Sequence, residues 1–334
     1  MNVRVAKVLM WSCAMFATAD MPCVAQKSSE PAQPAGGSPA ITNPLKVALL
    51  KWYNANRVPT TFKVGTQPYG IAFDGANMWV ANNGSGTVTE RRTNDGAILG
   101  DFNVGGAPYG ITFDGANIWV SNAGNGVTKL QASTGKNLGT FSVGPSPGWM
   151  TFDGGRIWVP ISPSQGNGSI VELRASDGKN LGQITVGSAP IAAAFDGANV
   201  WVTNNGSNNV TKIQASDGSV LGTFSVGNSP IGIAFDGTNM WVANRGDNTV
   251  TELRGTDGKV VGTFPVTSFQ PYGVAFDGEN IWVSGSLAIT ELRTSDGKII
   301  GSFEESGAIN ATGIAFDGAN MWVTFLDFGV VVKF

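Results

Sequence analysis

The chain has no histidine, two cysteines and only 13% charged residues among 334. The missing histidine removes the commonest general base, the commonest metal ligand and every Ser-His or Cys-His catalytic pairing. The cysteines, Cys13 and Cys23, sit near the amino terminus. A chain cut after Ala25 keeps neither, and so has no disulfide and no thiol chemistry. The formal net charge is −3 and no basic run occurs, which argues against a nucleic-acid surface. No apolar run reaches the length of a spanning helix.

The first 25 residues read as a secretory signal, with Arg4 and Lys7 ahead of a largely apolar Val8 to Ala19. Small-residue sites at Ala17-Thr18-Ala19 and Cys23-Val24-Ala25 predict cleavage after Ala19 or Ala25, and hence a periplasmic or secreted protein. Residues 26–42 are a polar linker rich in Pro, Gly, Ser and Ala, with too little apolar matter to fold. A short capping helix is predicted over 43–56. Asn43 serves as its N-cap, Pro44 as its first residue, and Leu45, Ala48, Leu49 and Trp52 form one face.

Glycine is plentiful, at 46 residues, and it punctuates a repeat. Phe73-Asp74-Gly75-Ala76-Asn77-Met78-Trp79-Val80 returns six more times, placing Trp79, Trp119, Trp158, Trp201, Trp241, Trp282 and Trp322 at spacings of 39 to 43 residues. A fixed period of this size is one structural unit copied. Each copy reads as four short strands, with Asp-Gly turns such as Asp74-Gly75 and Asp95-Gly96 closing its hairpins. That is the size of a β-propeller blade. The seventh copy ends at Phe334 one strand short, while the stretch near 58–65 matches the fourth-strand pattern. The fold expected over 57–334 is therefore all-β, a seven-bladed β-propeller of four-stranded antiparallel blades. Its ring closes when the amino-terminal strand completes the carboxy-terminal blade, which leaves no open edge.

Seven symmetric tryptophans fit packing between blades, and the aspartates of the Phe-Asp-Gly turns fit capping of their own loops. Asn77 and its equivalents are expected to bond within the same loops. A calcium-binding turn is the alternative, but each turn offers few oxygens. Variation between copies marks a more informative place. The residue after the interblade proline is Tyr69, Tyr109, Ile191, Ile231 or Tyr272, and the third copy carries Trp149 there. These aromatics either plug the central channel or form a surface for a ligand with apolar and hydrogen-bonding parts. Asn82, Asn122, Asn204, Asn244, Arg245 and Asp247 are expected on neighbouring loops of that face. The third copy departs furthest, with Pro160 and Pro163 expected to interrupt the exit of its second strand and Gln165 to Gly168 lengthening the loop.

The phrases Trp79-Val-Ala-Asn82, Trp119-Val-Ser-Asn122, Trp201-Val-Thr-Asn204 and Trp241-Val-Ala-Asn244 resemble the Tyr-Val-Thr-Asn repeats of bacterial β-propellers. Pro68 to Gly75 and Pro230 to Gly237 also look like repeats of the streptogramin lyase superfamily, which is NHL-like. The resemblance covers about 57–334 and implies a fold. Streptogramin lyases use a histidine base with a carboxylate and magnesium, which a chain without histidine cannot match. Gluconolactonase-like propellers hold a metal with Glu, Asn and Asp at the ring centre. Here twelve of the 24 acids stand in hairpin turns, and only Asp247 and Asp327 stand on loops joining second and third strands. The expected protein is an exported monomer without a cofactor or metal, binding a protein, peptide or glycan partner on the interblade-loop face. The alternative is a lyase or hydrolase using Tyr272, Asp247 or Asp327.

Overall fold

The computed structural model describes residues 59–124, 126–304 and 310–334; the signal, linker and helix expected over 1–56 lie outside them. The described residues form twenty-eight strands in seven four-stranded antiparallel sheets. None of their helices is long and apolar enough to cross a membrane. The first strand, β1 (Thr60–Lys63), pairs with Val330–Lys333 and completes the last sheet, as the missing fourth strand requires. Arg91 donates to the carbonyls of Lys63 and Gly96, tying that closing strand to the first blade.

The first blade shows the grammar of all. Its strands are β2 (Pro68–Phe73), β3 (Asn77–Asn82), β4 (Thr87–Arg92) and β5 (Ile98–Asn103), running from the channel to the rim. The turn after β2 is fixed by one carboxylate. Asp74 Oδ1 accepts the N–H groups of Ala76 and Asn77 at 2.8 and 2.7 Å, and Oδ2 accepts the Trp79 indole N–H at 2.7 Å. The same aspartate–indole bond recurs at 2.7 or 2.8 Å in every other blade. This explains the fixed Asp-to-Trp spacing. A buried indole N–H needs an acceptor, and the turn supplies it without adding a residue.

Each tryptophan is fully buried between its own blade and the next. Trp79 packs with Ile111, Ile118, Val120 and Leu130 of the second blade, and Trp322 with Ile71, Met78 and Val80 of the first, so the ring closes through the same contact. A phenylalanine of the outer strand stacks on most of these indoles, as Phe102 does on Trp79 with ring centroids 5.4 Å apart. Phe102 also covers the following blade's turn at Gly135. That glycine has φ +67°, and a Cβ there would come within 1.8 Å of the ring. Positive φ and the close approach both demand glycine.

The third blade departs from expectation in an instructive way. Its second strand runs unbroken over Arg156–Ile161, with Pro160 in register opposite Ile170. Pro160 turns its carbonyl toward Gly148, whose N–H it accepts at 2.8 Å, so its nitrogen faces the same side. There the first strand is reduced to Thr151–Phe152, and the absent N–H breaks no ladder bond.

Candidate functional site

The strands closest to the channel carry the variable ring position. In the fourth, sixth and seventh blades a buried serine or threonine near the end of the second strand clips it to the neighbouring blade. Thr203 donates to the Ile231 carbonyl at 2.8 Å, Ser284 to Thr312 at 2.5 Å and Thr324 to Tyr69 at 2.8 Å. In five copies glycine follows the ring position because the next blade's backbone passes there: a Cβ on Gly232 would meet the Tyr272 carbonyl at 2.3 Å. In the third blade, Pro147 and Gly148 still pair with the second strand, but Trp149 turns to the next blade. The Trp149 N–H donates to the Ile191 carbonyl at 2.8 Å, and its carbonyl accepts from Ala193 at 2.9 Å, so its ring stands over the channel.

These constraints bring Tyr69, Tyr109, Trp149 and Tyr272 together, as the sequence proposed. Ring centroids are 5.0 Å apart for Tyr69 and Tyr109, 5.9 Å for Tyr109 and Trp149, and 5.4 Å for Trp149 and Tyr272. The Tyr109 and Tyr272 hydroxyls share a hydrogen bond of 2.5 Å across the channel. Burial pushes both phenols well above the usual tyrosine range. For Tyr272 the neighbouring Tyr109 adds to this, and the charge of Arg245 opposes it in both. Burial thus favours the neutral form of both hydroxyls. Behind the aromatics lies a small cavity of about 120 Å³, walled by Ile71, Ile111, Met150, Ala193, Ile233 and Ile314 among others. The four rings stopper the channel rather than line an open pore.

The asparagines named with them lie elsewhere. Asn82, Asn122, Asn204 and Asn244 are buried beneath the loops. Each donates to a third-strand threonine: Thr89 at 2.8 Å, Thr128 at 2.9 Å, Thr211 at 2.9 Å and Thr251 at 2.8 Å. These amides hold the loop joining second and third strands against its sheet and present nothing to solvent. Arg245 is exposed and donates to Gln270 Oε1 at 3.0 Å. Asp247 fastens the adjoining interblade loop, accepting from the N–H and side-chain amide of Asn228 at 2.6 and 2.7 Å. Those bonds hold its pKa below the ordinary carboxylate value. Asp327 does similar work on Asn310 at 2.8 Å. Among the described residues no group of three or more His, Cys, Asp or Glu could hold a metal ion.

One feature of this face was not legible in the repeat. Phe269, Leu287 and Phe328 are about half exposed, at 48, 52 and 57%. They sit on successive loops joined by short contacts: Ser286 donates to the Phe269 carbonyl, Ser286 Oγ to Asn310, and Asn310 to Asp327. Leu287 has φ +82°, a strained conformation for a branched side chain. The apolar sector thus occupies the sixth and seventh blades beside Tyr272. Its residues fall where the copies lose alignment, so comparison between repeats does not single them out.

No known family's sequence profile matches the chain, and no curated protein sequence does. Solved structures do. Virginiamycin B lyase from Staphylococcus aureus is 20% identical with a TM-score of 0.70, over 83% of this chain and 98% of that one. A catalytically inactive form of that enzyme, with a histidine replaced by alanine and determined with quinupristin, matches equally. A streptogramin B lyase is 21% identical with a TM-score of 0.69, over 83% and 96%. Hydrazine synthase from Kuenenia stuttgartiensis is 18% identical with a TM-score of 0.70, over 80% and 96%. At these identities the likeness is one of fold, shared by streptogramin B lyase and by hydrazine synthase. The chain is a seven-bladed β-propeller, similar in fold to streptogramin B lyase.

Proposed function

We propose that the protein is an exported, monomeric binding propeller, and that its mouth face recognises a protein, peptide or glycan partner. The observation that carries this reading is the exposed apolar sector of Phe269, Leu287 and Phe328 beside the tyrosine stopper, with Arg245 and Gln270 supplying polar contacts. Exposed aromatics flanked by hydrogen-bonding groups are the usual anchors of such interfaces. The alternative, a lyase or hydrolase using Tyr272, Asp247 or Asp327, is less well supported by the mouth face. Burial favours the neutral form of Tyr272, Asp247 and Asp327 are engaged as loop fasteners, and the chain has no histidine, the residue whose loss accompanies inactivity in the staphylococcal variant.

Peptide and glycan arrays probed with the mature chain test the proposal. A captured ligand is expected to bind at least tenfold more weakly to the Phe269→Ser/Leu287→Ser/Phe328→Ser protein, whose melting temperature stays within a few degrees, as about 1–2 kcal/mol per anchor implies. Binding unchanged by the triple substitution overturns the surface. Consumption of quinupristin, followed by mass spectrometry, would overturn the non-enzymatic reading instead.

A further inference from the structure

On the opposite face, where the turns lie, the third-strand residue facing each tryptophan is charged in every blade, with either sign. Reading round the ring it is Glu90, Lys129, Glu172, Lys212, Glu252, Glu291 and Lys333. The lysine blades share one arrangement. The Lys129 ammonium lies 4.9 Å from the centre of the Trp119 ring and donates to the carbonyls of Ala175 and Ser176 in the next blade, at 2.6 and 3.3 Å. Lys212 repeats this over Trp201 with Gly255 and Thr256, at 2.7 and 3.2 Å. Lys333 reaches Thr93 over Trp322, at 2.8 Å. Each lysine fills the cleft between its blade and the next with a desolvated ammonium, satisfied by carbonyls and an indole face.

In the first blade the slot holds a carboxylate instead, and the cleft is open. A space of about 800 Å³ lies between the first two blades, lined by Asp74, Glu90, Leu99, Phe102, Ala132 and Ser133 among others. Ala132 and Ser133 stand in sequence where Ala175 and Ser176 stand one blade on. Glu90 is only 8% exposed. Its Oε1 accepts from Asn77 at 2.8 Å; among the described residues no hydrogen bond reaches Oε2 and no ion-pair partner stands beside it. Burial and the nearby Asp74 raise its pKa, with the Asn77 amide opposing. The third blade answers the same charge internally, since Arg156 pairs with Glu172 at 2.7 Å. In the lysine blades the asparagine turns back to its own aspartate, as Asn199 does to Asp196 at 3.0 Å.

We propose that the cleft between the first and second blades binds a primary ammonium on an aliphatic stem. The ammonium sits between Glu90 and the Ala132 and Ser133 carbonyls, the place that the second, fourth and seventh blades fill with their own lysine. Leu99 and Phe102 receive the stem. The chemistry is shared by free alkylamines and by a lysine side chain of another protein.

The test uses the folded chain and two probes, n-butylammonium and lysine blocked at both backbone ends, against sodium chloride at equal ionic strength and neutral n-butanol. The readout is the NMR signal of the Trp79 indole N–H, assigned through Trp79→Phe. A saturable shift is expected with butylammonium but not with either control, at least tenfold weaker in Glu90→Gln, as loss of a charge-assisted bond implies. The blocked lysine shifting the same signal extends the site to a partner's side chain; failure of that probe alone restricts it to free amines. Glu90→Lys should abolish the response and keep or raise the melting temperature, because the new lysine reproduces the clasp of Lys129. No shift in the parent protein, an undiminished shift in Glu90→Gln, or a lowered melting temperature in Glu90→Lys overturns the proposal.

Discussion

On the turn face, seven aspartates bond seven indoles at 2.7 or 2.8 Å. On the mouth face, one ring position is occupied by Tyr69, Tyr109, Trp149, Ile191, Ile231, Tyr272 and Thr312. The two faces belong to the same strands, so the difference lies in what each end must do. A turn that caps itself and holds a buried tryptophan has one workable solution per blade, and repetition keeps it. The channel end has to fill a single central space once, so seven copies can divide that task unequally. The regular face carries the stability and the irregular face carries the candidate recognition surface.

The comparison breaks most easily at the indoles. Trp201→Ala empties a fully buried site between the fourth and fifth blades and should cost about 3–5 kcal/mol by chemical denaturation. A variant as stable as the parent would mean that the blades are not held by this wedge. Gly135→Ala comes next. The added Cβ meets the Phe102 ring at a residue with φ +67°, so a loss of about 2 kcal/mol is expected, read as a lowered denaturation midpoint at unchanged slope. Leu287→Gly, on the mouth face, should have the smallest effect and the opposite sign. It releases a strained φ of +82° at an exposed site, so stability should stay level or rise by up to about 1 kcal/mol. A clear loss there would show that the mouth face is as structurally committed as the turn face.

Much of this was readable before any coordinates. The phrase from Phe73 to Val80, its six returns and the orphan strand near Thr60 determine the blade count and the ring closure, because edges must pair. The aspartate–indole bond was within reach too, since Asp and Trp keep a fixed separation, but spacing alone does not say which donor the second carboxylate oxygen takes. The asparagines of the Trp-Val-x-Asn phrases looked like surface groups. Their burial follows from a hydrogen bond to a threonine whose facing is set by sheet register. Pro160 looked like a strand breaker. It is harmless because the strand on its N–H side has already ended, a fact of pairing and not of propensity.

By itself the sequence determined a repeated hairpin, a number of blades and a closed ring, because those depend on local turn chemistry and on strand edges that cannot stay open. Only the tertiary structure decided what meets across the ring. Tyr109 and Tyr272, 163 residues apart, share a hydrogen bond because closure brings their blades to a common axis. Glu90 faces an open cleft while Lys129 fills its own, because the carbonyls that receive an ammonium belong to the next blade. Contacts between copies depend on how the copies pack, and no single copy encodes them.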